Sequence, residues 1–397
     1  MREGEVLRLK VKTVTPIFIG TGNALKGMDF LIVDGKVRVI DHEKLIRSLT
    51  QSQRDIFLRW IESRLSEGGD RKRYPPALWS LLSELRRRGV DQRGLLKGCT
   101  SYSIPYTFAR PGGRGPSINE IKECIKTPDH RPYIPGSEIK GAIRTSILMD
   151  MLQNGVAFRQ FTDKIKNLNT RLKRERRSKK NEILKQGWKE IEDKLLRGSY
   201  NEAHYDLMRG VQVGDSRPFP TETLRVEFIS IIGTSKRFPL YVETISPDHE
   251  TEVQITIASP ERWLEEMKLS DKREWLSWDR ISRAIYTRSK LILQEDERYF
   301  RGNIRIEEEI ERLKRLNTPD SPLLRLGWGQ GFTGITLTLP LKMREEWVFE
   351  DLRRSLSKAY NRRTHPGRFP QTRRVAVDER GNPRTPLGWV KLRLDRD

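Results

Sequence analysis

The chain has 397 residues, 36% hydrophobic and 33% charged, and Lys and Arg exceed Asp and Glu by 22. This composition excludes global disorder, the length suits two or three domains, and a pI near 10 favours a polyanionic partner over a merely solvated charged surface. Cys99 and Cys124 lack metal-ligand spacing, no apolar run of about 18 residues is present, and Met1–Glu5 has no signal-peptide core, so the expectation is a cytoplasmic protein without metal, cofactor or membrane span.

In chain order, Val6 to Thr15 alternates apolar and basic residues and predicts a half-buried strand, left through Gly20-Thr21-Gly22. Phe30–Val33 and Val37–Ile40 flank Asp34-Gly35 and predict a hairpin. Asp41 is a predicted N-cap for helices running from His42 to about Arg88. Gly89–Gly98 reads as a breaker-rich link, and 104–117 as a loop. Ser137 is a predicted N-cap for a helix to about Asn154, followed by a basic helical stretch, Arg159 to Lys180, with ten Lys or Arg and two acids. Strands are predicted at Leu207–Val213, Leu224–Ile232, Phe238–Glu243 and Glu252–Ala258, helices within 260–316, and strands at Ile335–Leu339 and Trp389–Leu394. The order implies an α+β fold built economically from two sheet-and-helix units, 1–200 with helical insertions at about 42–100 and 155–200, and 201–397 with an insertion at about 260–316.

Two motifs stand out. In Tyr133-Ile134-Pro135-Gly136-Ser137-Glu138-Ile139-Lys140-Gly141-Ala142-Ile143-Arg144, a cation sits in the first helical turn and a second one turn later. Each choice costs a few tenths of a kcal/mol in isolation and becomes favourable beside a phosphate; an ordinary capped helix with solvated cations is the other reading. In Arg325-Leu326-Gly327-Trp328-Gly329-Gln330-Gly331-Phe332-Thr333-Gly334, the literal G-x-G-x-x-G is followed by an alternating, strand-like segment, which argues against a dinucleotide fold, and the 63 residues after Gly334 cannot hold a kinase catalytic apparatus. Gly68-Gly69-Asp70 resembles a polymerase turn only superficially, lacking a second Asp. The glycine loop then offers either close backbone contact with RNA or a subunit, or a tight structural turn; Trp328 and Phe332 are base-stacking or core residues. Arg353 to Asp397 holds thirteen Lys or Arg against four acids, including the doublets Arg362-Arg363 and Arg373-Arg374, and suits sequence-tolerant contact with an RNA backbone or a solvated tail.

The Tyr-Ile-Pro-Gly-Ser-x-Ile-Lys-Gly-Ala-x-Arg element, the glycine loop and Thr15-Pro16-Ile17-Phe18-Ile19-Gly20-Thr21-Gly22 resemble the RAMP superfamily of CRISPR proteins. Asp29-Phe30 with its hairpin, and Pro386-Leu387-Gly388-Trp389-Val390-Lys391-Leu392, resemble its filament-capping family in type III-A Csm effector complexes. That resemblance implies two ferredoxin-like (RRM-like) domains with helical insertions. It implies as partners a CRISPR guide RNA, neighbouring Csm backbone and small subunits, and recruited nucleases that mature the guide 3′ end. Its RNA-facing helix start corresponds to Ser137, Lys140, Gly141 and Arg144, and its glycine loop to Gly327, Gly329, Gly331 and Gly334; close approach adds Gly136 to the candidate RNA-binding residues, and charge and stacking add Lys26, Arg325, Trp328, Arg373 and Arg374. No catalytic residue is expected: Asp29 is read as structural and His42 lacks a paired acid or base at motif spacing, with a metal-dependent endoribonuclease using Asp29 as the alternative.

Overall fold

The computed structural model describes residues 4–66, 77–107, 118–197, 202–234, 240–259, 264–265, 268–361, 364–367 and 369–395. Along the chain it forms β1 (Gly4–Thr13), β2 (Gly20–Lys26), β3 (Phe30–Val33), β4 (Lys36–Ile40), α1 (His42–Ser48), α2 (Gln51–Ser66), α3 (Leu78–Arg87), α4 (Gln92–Cys99), β5 (Thr100–Pro105) and β6 (Glu120–Cys124). There follow α5 (Gly136–Met151), α6 (Gly155–Arg174), α7 (Arg177–Arg197), β7 (Val211–Val213), β8 (Leu224–Ile232), β9 (Leu240–Ile245) and β10 (Glu250–Ala258). The remainder comprises α8 (Trp278–Phe300), α9 (Ile304–Leu316), β11 (Leu323–Arg325), α10 (Gly331–Ile335), α11 (Thr338–Arg344), α12 (Glu346–Tyr360), β12 (Arg373–Val377), β13 (Pro383–Pro386) and β14 (Trp389–Leu394).

Strand β1 buries Leu7, Leu9 and Val11 on one face, as its alternation requires, and becomes a central strand of a five-stranded antiparallel sheet ordered β11-β14-β1-β10-β7. Taken as β1-α5-β7-β10-α8-β14, this sheet has the strand–helix–strand–strand–helix–strand sequence of a ferredoxin-like unit, with its fourth strand beside the first and the third between first and second. Helices α5 and α8 pack against each other, and their apolar faces, including Ile139, Ile143, Ile147, Ile281, Ile285 and Ile292, are fully buried.

The second sheet runs β13-β12-β8-β9-β6-β2 and is antiparallel except where β6 lies parallel to β9. Strands from both sides of residue 200 share both large sheets, so segments 1–200 and 201–397 do not correspond to two separate sheets. The α+β class stands, but one ferredoxin-like unit is threaded through the whole chain. Helix α8, expected as an insertion, is one of its two core helices.

A third sheet, β3-β4-β5, carries α1 to α4 and a satellite core of Leu45, Leu49, Leu78, Leu81, Leu85 and Cys99. Asp34 and Gly35 take φ of 52° and 70°, as the two-residue hairpin demands. Asp41 Oδ1 accepts from Lys44 N at 3.0 Å and caps α1 as expected. The expected link over 89–98 contains helix α4 instead: Asp91 Oδ2 accepts from Gly94 N at 3.2 Å, and burial of Leu96 and Cys99 overrides the two helical glycines. The expected strand over 207–213 is strand only from Val211, because Asp206 caps a short 3-10 turn at Leu207–Gly210. Gly68-Gly69-Asp70 and Arg362-Arg363 lie outside the described residues.

Candidate nucleic-acid interface

The two motifs, almost two hundred residues apart in sequence, meet in space. Gly327 N donates to Glu138 Oε2 at 3.1 Å, tying the glycine loop to the first turn of α5. Trp328 N donates to Phe18 O at 3.0 Å, and the Phe18 and Trp328 rings meet edge-on at 5.7 Å. The Thr15–Gly22 segment therefore forms the third side of this junction.

Helix α5 starts two residues earlier than its sequence suggests. Pro135 is the capping residue and supplies no side-chain bond, while Gly136 N donates to Asp215 Oδ1 at 2.7 Å. Ser137 is thus not the N-cap but an exposed first-turn residue. A carboxylate of the same chain already occupies the anion position at Gly136. Gly136 itself is required by packing, because a Cβ there would lie 2.3 Å from Val213 O.

The cations separate into two kinds. Arg144 is internally neutralised: its Nη1 lies 2.9 Å from Asp206 Oδ2 and its Nη2 3.3 Å from Glu192 Oε2, and Arg197 shares Asp206 at 3.3 Å. Burial alone would raise the Asp206 pKa, but Arg144, the Met208 amide and Arg197 bring it below the ordinary aspartate value. Lys140 forms no ion pair among the described residues and is part-buried. Burial lowers its pKa; Asp206 opposes that shift and Arg144 adds to it. The like-charge spacing of Lys140 and Arg144 is thus relieved by Asp206 for Arg144 and left open for Lys140.

Gly141, beside Lys140, is exposed in mid-helix, and a Cβ there would meet nothing within 4 Å. A helical glycine costs about 1 kcal/mol relative to Ala, and no contact among the described residues requires this one. Ser137, Lys140, Gly141 and Arg144 form one i, i+3, i+4, i+7 stripe on the open side of α5.

The glycine loop is not followed by a strand. After a 3-10 turn at Gly327–Gln330, Gly331 takes φ 63° and opens α10, then α11 follows. Leu337, Leu339 and Leu341 are buried, and Pro340 has no N–H to offer a sheet ladder. The dinucleotide reading fails on different grounds: β11 pairs antiparallel with β14, so no parallel strand–helix–strand unit exists here. Gly327 (φ 65°) would clash with Phe18 O at 2.2 Å and Gly329 with Leu387 O at 2.5 Å if either carried a Cβ. Both glycines serve internal packing. Gly334 O accepts from Arg288, whose Nη2 also donates to Gln330 Oε1 at 2.9 Å. Arg288 is fully buried without a carboxylate partner among the described residues, and burial, with Arg325 nearby, lowers its pKa to about 9.

Two expected RNA-contacting arginines do not face outward. Arg325 Nη1 lies 2.7 Å from Asp296 Oδ2 and Arg373 Nε 3.2 Å from Asp296 Oδ1, with all three side chains almost wholly buried. They are internal struts between α8, β11 and β12. Arg374, its neighbour, is half-buried, stacks at 4.1 Å on the Trp328 ring and donates to Trp328 O at 3.2 Å. Lys26 is exposed at the far end of β2, roughly 20 Å along the strand from Gly20, so it is not part of this junction. Beside it, Asp29 Oδ2 accepts from Lys26 N at 2.7 Å, and His42 Nε2 lies 3.3 Å from Asp29 Oδ1.

The contacts that sequence reasoning misses are Asp215, Asp206, Glu192 and Arg288. They lie 42 to 79 residues from the groups they hold, and no local motif announces them. No group of metal-ligating side chains occurs among the described residues, and no described helix is long and apolar enough to cross a membrane.

Comparison with known proteins agrees with this architecture. A protein of Streptococcus thermophilus named CRISPR system Cms protein Csm5 is 28% identical over 275 residues, 66% of this chain and 67% of the relative. Its namesake in Methanocaldococcus jannaschii is 22% identical over 99% of this chain and 90% of the relative. A chain of the cryo-EM structure of a type III-A Csm–crRNA–target RNA ternary complex shares the fold with a TM-score of 0.69 at 23% identity, covering 98% of this chain and 100% of that one. The crystal structure of Csm5 from T. onnurineus has a TM-score of 0.61 at 21% identity, covering 96% and 99%. The RAMP superfamily model matches residues 10–333, and the chain belongs to the RAMP superfamily.

Proposed function

We propose that this chain is a noncatalytic RNA-binding subunit that caps the guide 3′-end side of a type III-A CRISPR Csm ribonucleoprotein. In that role it supports assembly and guide 3′-end maturation in antiviral defence, alongside Csm backbone and small subunits in the cytoplasm and with separate nucleases. The single observation that carries the RNA reading is the open face of α5, where Lys140, without an ion pair among the described residues, adjoins a glycine at which a Cβ would meet nothing within 4 Å. Such a pair admits a phosphate backbone at close range and gives it one uncompensated cation. The similarity to Csm5 proteins supplies the complex.

The test is Lys140→Gln in the purified chain, with single-stranded RNA binding followed as a function of salt. Losing one phosphate contact reduces the slope of log K against log salt by about 0.7. An unchanged slope and affinity removes Lys140 from the interface. Arg144 is a poor probe, because its loss removes one of the two arginines on Asp206 and takes a cation from Glu192.

A second reading, ribonuclease activity, has one observation in its favour: Asp29 and His42, distant in sequence, come together beside Lys26. Both are occupied by local contacts, with Asp29 closing the turn after β2 and His42 Nε2 also 3.2 Å from Met28 O. Purified chain that leaves RNA intact with and without Mg²⁺ supports the noncatalytic reading; cleavage lost in Asp29→Ala or His42→Ala supports the other.

A further inference from the structure

At the opposite end of α5 from Lys140, about 15 Å of helix away, α6, α7 and the start of α8 enclose a cleft of about 600 Å³. We propose that this cleft binds a phosphorylated nucleoside, either as a free nucleotide or as the end of an RNA strand. The volume falls within the range of small-molecule sites.

Its charges are arranged unevenly. Three carboxylates line it, and each is held by a cation: Asp150 by Arg280 at 2.9 Å, Glu274 by Arg280 at 3.2 Å and Asp271 by Lys272 at 2.8 Å. Lys164 and Lys194, from antiparallel turns of α6 and α7, have no ion-pair partner among the described residues. Lys164 Nζ donates to the Glu190 carbonyl at 3.3 Å. Burial and then the Lys194 charge lower the Lys164 pKa, with Glu190 opposing. Two cations lining one cleft, neither in an ion pair among the described residues, are relieved by one phosphate bound there. The 20-residue helix α6 begins at the same cleft with no acid in its first turn, so its dipole adds to the positive potential.

The nucleoside half of the ligand has a platform as well. Arg280 stacks on Trp275 at 4.1 Å, and its side chain is about one-third exposed, offering a planar cation to a base. Val156, 56% exposed, presents an apolar edge to the same space.

The test is calorimetric titration of the full chain with AMP, with inorganic phosphate, and with a short RNA oligonucleotide carrying or lacking a 3′-phosphate. The expected result is saturable AMP binding, tighter than phosphate alone, weakened at least tenfold in Lys164→Gln/Lys194→Gln and unchanged in Lys140→Gln. Val156→Glu, which places an acid at the helix start and so favours α6 itself, produces the same loss without harming the fold. Competition between AMP and oligonucleotide that depends on the terminal phosphate assigns the ligand to a strand end. AMP binding without such dependence assigns it to a free nucleotide. Absence of saturable binding by every probe, or binding indifferent to both the lysine and Val156 variants, overturns the proposal. The Lys140→Gln control separates this site from the α5 interface, so either site can fail alone.

Discussion

Gly141 offers the sharpest separation of stability from function. It lies exposed in mid-helix, and an added Cβ meets nothing within 4 Å. Gly141→Ala therefore gains the helix-propensity difference, about 1 kcal/mol, with no steric cost to set against it. Gly141→Leu gains slightly less and projects a bulky side chain from the Lys140 stripe. If an RNA backbone packs on this face, the Leu variant loses at least tenfold in RNA affinity, about 1.4 kcal/mol, while its urea midpoint rises. Equilibrium denaturation and filter binding on the same preparations read the two effects. A Leu variant that is more stable and binds RNA as the parent does refutes the close-approach reasoning. A destabilised Leu variant refutes the claim that the site is sterically open.

Further perturbations follow from the buried contacts. Asp296→Ala leaves Arg325 as an uncompensated buried cation and Arg373 with Glu295 at 3.5 Å, and should destabilise by about 3–5 kcal/mol, measured by urea denaturation. Gly327→Ala forces a side chain into φ 65° against Phe18 O, so disrupted packing at the glycine loop should appear as lost protection of the Gly327 and Trp328 amides in hydrogen exchange. The Asp206 pKa is below its unfolded value, so its stabilising contribution is complete above the ordinary aspartate pKa of 3.8 and is lost as pH falls through the folded value. Asp206→Asn should therefore flatten the acid limb of the stability–pH profile; an unaltered acid limb counts against the Arg144–Asp206–Arg197 junction.

What the sequence reveals depends on whether the determining partner is local. Leu224–Ile232 and Trp389–Leu394 form strands over the expected residues, and Asp41 and Asp34-Gly35 act as expected, because each signal is contained within a few positions. Ile335–Leu339 misleads because its alternation of Thr with Ile or Leu matches a strand, while the burial that decides the matter comes from α8 and α12. The threaded ferredoxin-like unit is hidden for a similar reason: β1 and β14, at opposite ends of the sequence, are neighbours in one sheet. At the proposed interface, the features that single out Lys140 and Gly141, a first-turn cation and a mid-helix glycine, are legible from helix physics alone. The difference between Arg374, stacked on Trp328, and Arg373, buried on Asp296, is not, since adjacent strand residues point to opposite faces and only the assembled sheet shows which face is the core.

The most direct measurement of the central claim is ultraviolet crosslinking of the assembled ribonucleoprotein, followed by mass spectrometry of the RNA-linked peptides. Contact along the open side of α5 predicts crosslinks within Ser137–Thr145, reduced in Gly141→Leu. Crosslinks confined to other surfaces, with Ser137–Thr145 unmodified, would contradict it.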